Sequence, residues 1–244
     1  MLLNFIPIVD LLYPRRCPVC QDIVKMNPKN PLICPECEKK LPYVPEPRCM
    51  KCGKPIEQEE QEYCSDCKRI PKHFEHGFPL FQYVSPIKEG VTAFKYHNRR
   101  EYADFYSEEI WKRFGTEFLS LQLDGILPVP IHRNKRRHRG YNQAELLAEH
   151  LSAKLQVPCY KKHLVRRLDT LPQKELNDKE RLNNLKKAFF FKGNDVKLKK
   201  VLLVDDIYTS GATIEACTEA LFQGGIETVY YTSICIGKGF DTCN

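Results

Sequence analysis

No apolar run in the 244-residue sequence is long enough to cross a bilayer. The nearest approach, Met1 to Tyr13, is interrupted by Asn4, Pro7 and Asp10, lacks a basic n-region and runs into Arg15 and Arg16. That pattern argues against a span and against a cleavable export signal. It predicts a short helix docked on the body of the protein. The expected location is the cytoplasm, with recruitment to the inner face of the membrane open, and a reducing cytosol argues against disulfides. Acid is missing from one place in particular: residues 131–140 carry Arg133, Lys135, Arg136, Arg137 and Arg139 and no carboxylate. The formal net charge of +7 is moderate and unevenly spread, which favours polyanionic ligands such as pyrophosphate or nucleic acid.

Cysteine, by contrast, is plentiful and ordered. Eight of the 12 fall into the pairs Cys17/Cys20, Cys34/Cys37, Cys49/Cys52 and Cys64/Cys67, with gaps of 13, 11 and 11 residues between pairs. Each pair reads as a knuckle and each gap as a hairpin. Two knuckles supply the four thiolates of one tetrahedral Zn²⁺ site, and Pro18, Pro35 and Gly53 are turn residues that bring backbone N–H groups toward sulfur. Two structural zinc sites are expected, with sequential pairing preferred and an interleaved cross-brace left open by the spacing. Disulfides and a rubredoxin-like iron are the competing uses of the same thiols. Four ligands leave no open coordination position, so zinc loss is expected to unfold residues 17–67 and leave any ligand site beyond them standing. Cys159, Cys217 and Cys235 read as core, and Cys243 as a tail thiol.

Composition changes near residues 69–76, which divides the chain into 1–72, a short helix plus double zinc ribbon, and 73–244, an α/β domain. Phe78 to Val84 reads as a strand. Ser85-Pro86 reads as N-cap and first residue of a helix carrying Ile87, Val91 and Phe94, and Ala103, Tyr106, Ile110 and Phe114 mark a second helix. Asp124 to Pro130 is a short strand ended by prolines, followed by the basic loop at 131–140 and a crossover helix over Tyr141 to Leu155. Residues 159–168 read as the next strand. The polar stretch from Asp169 to Leu185 is long for a loop in a compact domain and reads as a candidate lid carrying Gln173, Arg181 and Asn183, with a helical start near Asn177 as an alternative.

The most informative stretch is 201–213. Val201 to Val204 form a buried strand that ends in Asp205 and Asp206. Thr209, Ser210, Gly211, Ala212 and Thr213 follow, a small hydroxyl-rich turn able to aim several backbone N–H groups at one anion where a helix begins. An ionised Asp only accepts hydrogen bonds, so the pair suits a vicinal diol, or a metal ion that bridges the diol to a phosphate. A ribose 5-phosphate carries both features. The bland alternative is a buried strand capped by a solvated Asp pair. A receiver-type domain is excluded, because it would need roughly 100 residues after this point.

This stretch resembles the 5-phosphoribosyl 1-pyrophosphate (PRPP) motif of the type I phosphoribosyltransferases. With the four knuckles, Pro128-Val129-Pro130, Arg139 to Ala144, Gln173 and Arg181-Leu182-Asn183-Asn184 in the same order, the whole chain resembles the ComF/ComFC family of bacterial competence proteins. The resemblance implies a type I phosphoribosyltransferase fold, a central parallel sheet flanked by helices, behind a small zinc-ribbon module with four cysteines per metal. It implies PRPP and Mg²⁺ as ligands and a role in handling incoming single-stranded DNA in the cytoplasm. Asp205 and Asp206 would hold the ribose hydroxyls, residues 209–213 the 5-phosphate, and the basic loop the pyrophosphate, with nucleic-acid binding by that loop an open alternative. Tyr208 and Ser210 depart from the Thr-Thr form common among nucleotide-salvage relatives, and no base-recognition hood is visible. Whether the domain turns over an acceptor is open. Lys95, Tyr96, Arg99, Arg100 and Tyr141 are candidate contacts for single-stranded DNA, and a helicase or translocation-channel partner is a candidate for the zinc ribbon.

Overall fold

The computed structural model describes residues 14–25, 27, 29–166, 188–193 and 196–237. The helix expected over Met1 to Tyr13, the lid residues Gln173, Arg181 and Asn183, and Cys243 lie outside them. In the ribbons, α1 (Pro35–Glu38) and α2 (Ser65–Arg69) each start directly after a knuckle cysteine, Cys34 or Cys64. The sulfurs of Cys17, Cys20, Cys34 and Cys37 lie within 4.8 Å of one another, as do those of Cys49, Cys52, Cys64 and Cys67. Pairing is therefore sequential, and the cross-brace is excluded.

The α/β body contains β1 (Gly77–Gln82), α3 (Ile87–Tyr96), α4 (Tyr102–Ser120), β2 (Gly125–Pro128), α5 (Arg133–Arg139), α6 (Gln143–Leu155), β3 (Leu164–Arg166), β4 (Phe189–Phe191), β5 (Lys200–Tyr208), α7 (Ala212–Gln223) and β6 (Thr228–Ile236). Its main sheet is parallel throughout, in the order β1-β6-β5-β2. Val201 to Val204 are apolar on both faces because both are covered. Leu202 and Val204 join the core beneath α4 and α6, and Val201 and Leu203 join the one beneath α7.

Four local expectations need correction. Helix α3 starts at Ile87, and the Ser85 hydroxyl donates to Glu89 Oε1 at 2.6 Å instead of capping the backbone. Residues 133–139 are a helix, not a loop: His132 Nδ1 accepts from Asn134 N–H at 3.2 Å at one end, and Gly140 at φ +78° closes the other. Long unbranched Arg and Lys side chains tolerate a helix well, and their charge suits its C-terminal end. Helix α6 starts at Gln143, with the Asn142 side chain accepting from Ala144 N–H. The segment expected as one strand over 159–168 splits: Cys159 forms a parallel bridge to Ile126 beyond β2, whereas β3 pairs antiparallel with β4 in a separate two-stranded sheet.

That split locates the crevice. The chain leaves β2 through α6 to Cys159 on one side and re-enters at β5 on the other, so the direction of strand order reverses between β2 and β5. In open α/β sheets such a reversal opens a crevice at the carboxyl ends of the two strands. Here β2 ends at Pro128, paired with Val204, and leaves Asp205 and Asp206 beyond its last rung.

The ribbons are built into this body. A Cβ on Gly90 of α3 would lie 1.8 Å from the Pro18 carbonyl oxygen, so only glycine lets the first knuckle seat there. Tyr102 donates to Cys17 O at 3.2 Å, and Glu109 accepts from Asn30 and Tyr43 at 3.1 and 2.5 Å. Residues 42–44 bridge to β1, with Val44 N–H on Leu80 O and Gln82 N–H on Pro42 O. At the second ribbon the buried Tyr231 hydroxyl donates to Cys52 O at 2.7 Å. Tyr231 stacks on Tyr208 at 4.7 Å between centroids, and Lys72 Nζ donates to Ser210 O at 3.1 Å. The second ribbon thus supports the 209–213 turn from beneath. Independence of the ligand site from zinc does not fit these contacts. Chelation is expected to expose amides in 205–213 to hydrogen exchange along with those in 17–67, and Tyr231→Phe to cost about 1–2 kcal/mol for the stranded Cys52 carbonyl. Exchange mass spectrometry with and without chelator checks the first, and urea unfolding checks the second.

Candidate functional site

Strand β5 carries the acidic pair out past the end of β2, and α7 begins after the short turn that follows Tyr208. Gly211 caps α7 at φ +78° and offers no side-chain cap. Apart from a long 3.4 Å contact from Ala212 N–H to Ser210 Oγ, the first N–H groups of the helix have no acceptor among the described residues. A Cβ at Gly211 would fall 2.2 Å from the Tyr208 hydroxyl, which excludes larger residues on space as well as on φ. Asp205, Ile207 and Tyr208 line one concavity with residues 209–214. The turn is therefore held by a buried aromatic stack below and open to solvent above. This also accounts for Tyr208, whose stacked ring supports the turn.

The two carboxylates differ. Asp206 pairs with Lys95 Nζ at 3.0 Å, both side chains about 15% exposed. Among the described residues Asp205 accepts from the Asp206 N–H, at 2.8 Å, and burial together with the Asp206 charge pushes its carboxyl up to about 7. The hydrogen bond, Lys95 and Arg166 oppose that rise without cancelling it. Two adjacent carboxylates short of positive charge fit a divalent cation or a diol donor, so the donor set suits Mg²⁺ held with a polyol.

The other expected residues divide. Lys95 belongs to the acidic pair and not to an open nucleic-acid face. Tyr141 is buried, donates to Phe94 O and carries the Arg100 guanidinium 4.8 Å over its ring, so it offers no face for base stacking. Tyr96 is 56% exposed, with Arg139 4.8 Å over its ring and bonded to its hydroxyl at 3.0 Å. Arg99 pairs with Glu101, and Arg136 with Glu145. Arg133, Lys135 and Arg137 are exposed on α5, which follows the carboxyl end of β2 as the 209–213 turn follows that of β5. Sequence reasoning missed Arg166, whose buried Nε has no hydrogen-bond partner among the described residues and whose charge acts on Asp205. Arg166 stands at the end of β3, opposite Phe189 of β4. It also missed Glu215 in the first turn of α7, buried and accepting from the His73 N–H and ring.

The zinc positions pass a geometric test. Tetrahedral Zn–S bonds of about 2.3 Å separate sulfurs by about 3.8 Å, and Cys52–Cys64 and Cys20–Cys34 are 3.6 and 4.0 Å apart. Contacts among the sulfurs hold the Cys49 thiol well below its ordinary value and push Cys52 well above it. Both four-cysteine clusters fit structural zinc. Among the described residues no helix is long and apolar enough to cross a membrane.

The double zinc ribbon domain family matches residues 8–68. Competence protein F of Haemophilus influenzae is 30% identical over 203 residues, covering 81% of this chain and 87% of that protein. The chain belongs to the ComF/ComFC family. Within it, Competence protein ComFC of Bacillus subtilis is 27% identical over 200 residues, 79% of each chain, and DNA utilization protein YhgH of Escherichia coli K12 is 27% identical over 191 residues, 77% of this chain and 83% of its own. An adenine phosphoribosyltransferase from Saccharomyces cerevisiae superposes on 60% of this chain and 73% of its own, at 17% identity and a TM-score of 0.35. The matched residues 8–68 carry both four-cysteine clusters, and the α/β body with its parallel sheet follows them in the chain.

The raised Asp205 carboxyl has a stability consequence. Its folded value of about 7 lies above the unfolded one near 4, so the folded state holds the proton more tightly. The associated stability is present below about pH 4 and lost as pH rises through 7. Asp205→Asn is expected to stabilise the ligand-free protein by on the order of 2–4 kcal/mol at pH 8, with the gain vanishing toward pH 4. Urea unfolding across pH 4–8 checks it.

Proposed function

We propose that the protein binds PRPP with Mg²⁺ at the carboxyl end of β5 and acts in the handling of incoming single-stranded DNA. The observation that carries the ligand assignment is the acidic pair standing beyond the last β2 rung, with the start of α7 one short turn further along the chain. Ribose 2- and 3-hydroxyls would donate to Asp205 and Asp206. Residues 209–213 would hold the 5-phosphate through N–H groups, with hydroxyls from Thr209, Ser210 and Thr213. Arg133, Lys135 and Arg137 are the exposed cations on the neighbouring strand's side for a pyrophosphate. Bound Mg²⁺ would offset the charge between diol and diphosphate. If an acceptor is used, transfer needs no protein nucleophile: C1 loses pyrophosphate as the acceptor attacks, and the protein contributes positioning and electrostatics. The role in DNA uptake rests on the names that the relatives carry, and so does an unidentified helicase or translocation-channel partner for the ribbon.

A second reading has its own observation. Exposed Tyr96, stacked under Arg139, lies alongside the exposed cations of α5, an aromatic beside a basic track of the kind that single strands follow. On this reading the fold is a scaffold that binds DNA without catalysis.

Titration calorimetry separates the two. Asp205→Asn with Asp206→Asn is expected to abolish Mg-PRPP binding with the fold intact; unchanged affinity rules the site out. Neutralising Arg133, Lys135 and Arg137 together is expected to weaken binding to oligonucleotides of unrelated sequence by about tenfold or more and to flatten its salt dependence. Competition between Mg-PRPP and oligonucleotide reports whether they share the crevice.

A further inference from the structure

Lys95 has no part in the ligand assignment above, yet its pair with Asp206 occupies half of the acidic site. Lys95 lies in the last turn of α3, where a cation is favoured by the helix end. Val91 and Phe94 anchor that turn in the core, which fixes where the Lys95 stem departs. Its ammonium sits 3.0 Å from Asp206 Oδ1, with both side chains largely withdrawn from water. A divalent ion bound to the same carboxylate would stand about 2 Å from its oxygen. Two cations on one oxygen in a partly dehydrated crevice repel strongly, and little solvent is present to screen them. The unbranched Lys stem allows the ammonium to leave without moving α3.

We propose that Lys95 is the internal counter-ion of the site: it neutralises Asp206 in the free protein, excludes a bare divalent cation, and passes to a phosphate oxygen when a metal-bound phosphorylated ligand enters. The first two steps depend only on the ion pair. The third rests on the PRPP reading. In the free protein Lys95 acts through Asp206, by setting which cation that carboxylate accepts, and it becomes a ligand contact only in the third step.

The test uses the zinc-loaded full chain and two titrations. With Mn²⁺ alone, followed by electron paramagnetic resonance, Lys95→Gln is expected to bind the ion at least tenfold more tightly than the wild type. Lys95→Arg is expected to match the wild type, and Asp206→Asn in the Lys95→Gln background to remove the gain. With Mg-PRPP, followed by calorimetry, Lys95→Gln is expected to bind at least tenfold more weakly. A lysine that only supports the fold would not move the two affinities in opposite directions. Mn²⁺ affinity of Lys95→Gln within twofold of wild type overturns the counter-ion. Equal Mg-PRPP affinity in the two proteins overturns the transfer to phosphate. Absence of Mg-PRPP binding by the wild type, together with the Mn²⁺ gain, overturns the PRPP reading and supports the counter-ion. Should Lys95→Gln fail to fold, the wild-type Lys95 ¹⁵Nζ resonance is the alternative readout: it is expected to shift when Mg-PRPP is added, and a constant resonance counts against the proposal.

Discussion

The site depends on where one strand stops. Pro128 and Pro130 have no N–H to give, so β2 ends against Val204, and Val129 makes the last rung by donating to Val204 O at 2.8 Å. β5 continues on its other side against β6 as far as Tyr208. Two carboxylates are thereby carried into a crevice with sheet on one side only. A longer β2 would have paired their backbone and closed the space. The charge they bring is then incompletely balanced by Lys95 and Arg166, so the crevice is short of positive charge before any ligand arrives.

The two zinc clusters are also joined to that crevice. Cys17 and Cys34 share a core with Phe81, Phe105 and Tyr106, and Cys49 and Cys52 share the other with Tyr208 and Tyr231. The second cluster reaches the 209–213 turn through two stacked tyrosines and the Lys72 ammonium. Metal that closes a ribbon elsewhere contributes folding free energy to that ribbon alone. In this arrangement part of it goes into holding the 209–213 turn in shape.

Much of this is legible in the sequence, and the reason is local. Knuckle spacing, the apolar run before Asp205, the small residues at 209–213 and the prolines around Val129 each act through neighbours in the chain, so a linear reading reaches them. The sequential Cys pairing needs three dimensions, because the spacing serves either topology. Helix α5 reads wrongly from sequence because five like charges suggest a solvated loop, while its caps, His132 and Gly140, are single residues with a weak signal. Tyr141 reads as a surface aromatic, yet Arg100 and the Phe94 carbonyl cover it. Arg166 lies beyond sequence reasoning altogether, since a long-range strand pairing places it.

The bridge from residues 42–44 to β1 has a consequence of a different kind. β1 is the outermost strand of the main sheet, and its sequence, Gly-Phe-Pro-Leu-Phe-Gln, is almost wholly apolar. Uncovered, such a rim presents free backbone groups as a template for another chain. The segment between the ribbons engages this rim at the Leu80 carbonyl and the Gln82 N–H. The ribbons therefore act as an intramolecular guard on the sheet's border, and an α/β body released from them would carry a surface prone to self-association.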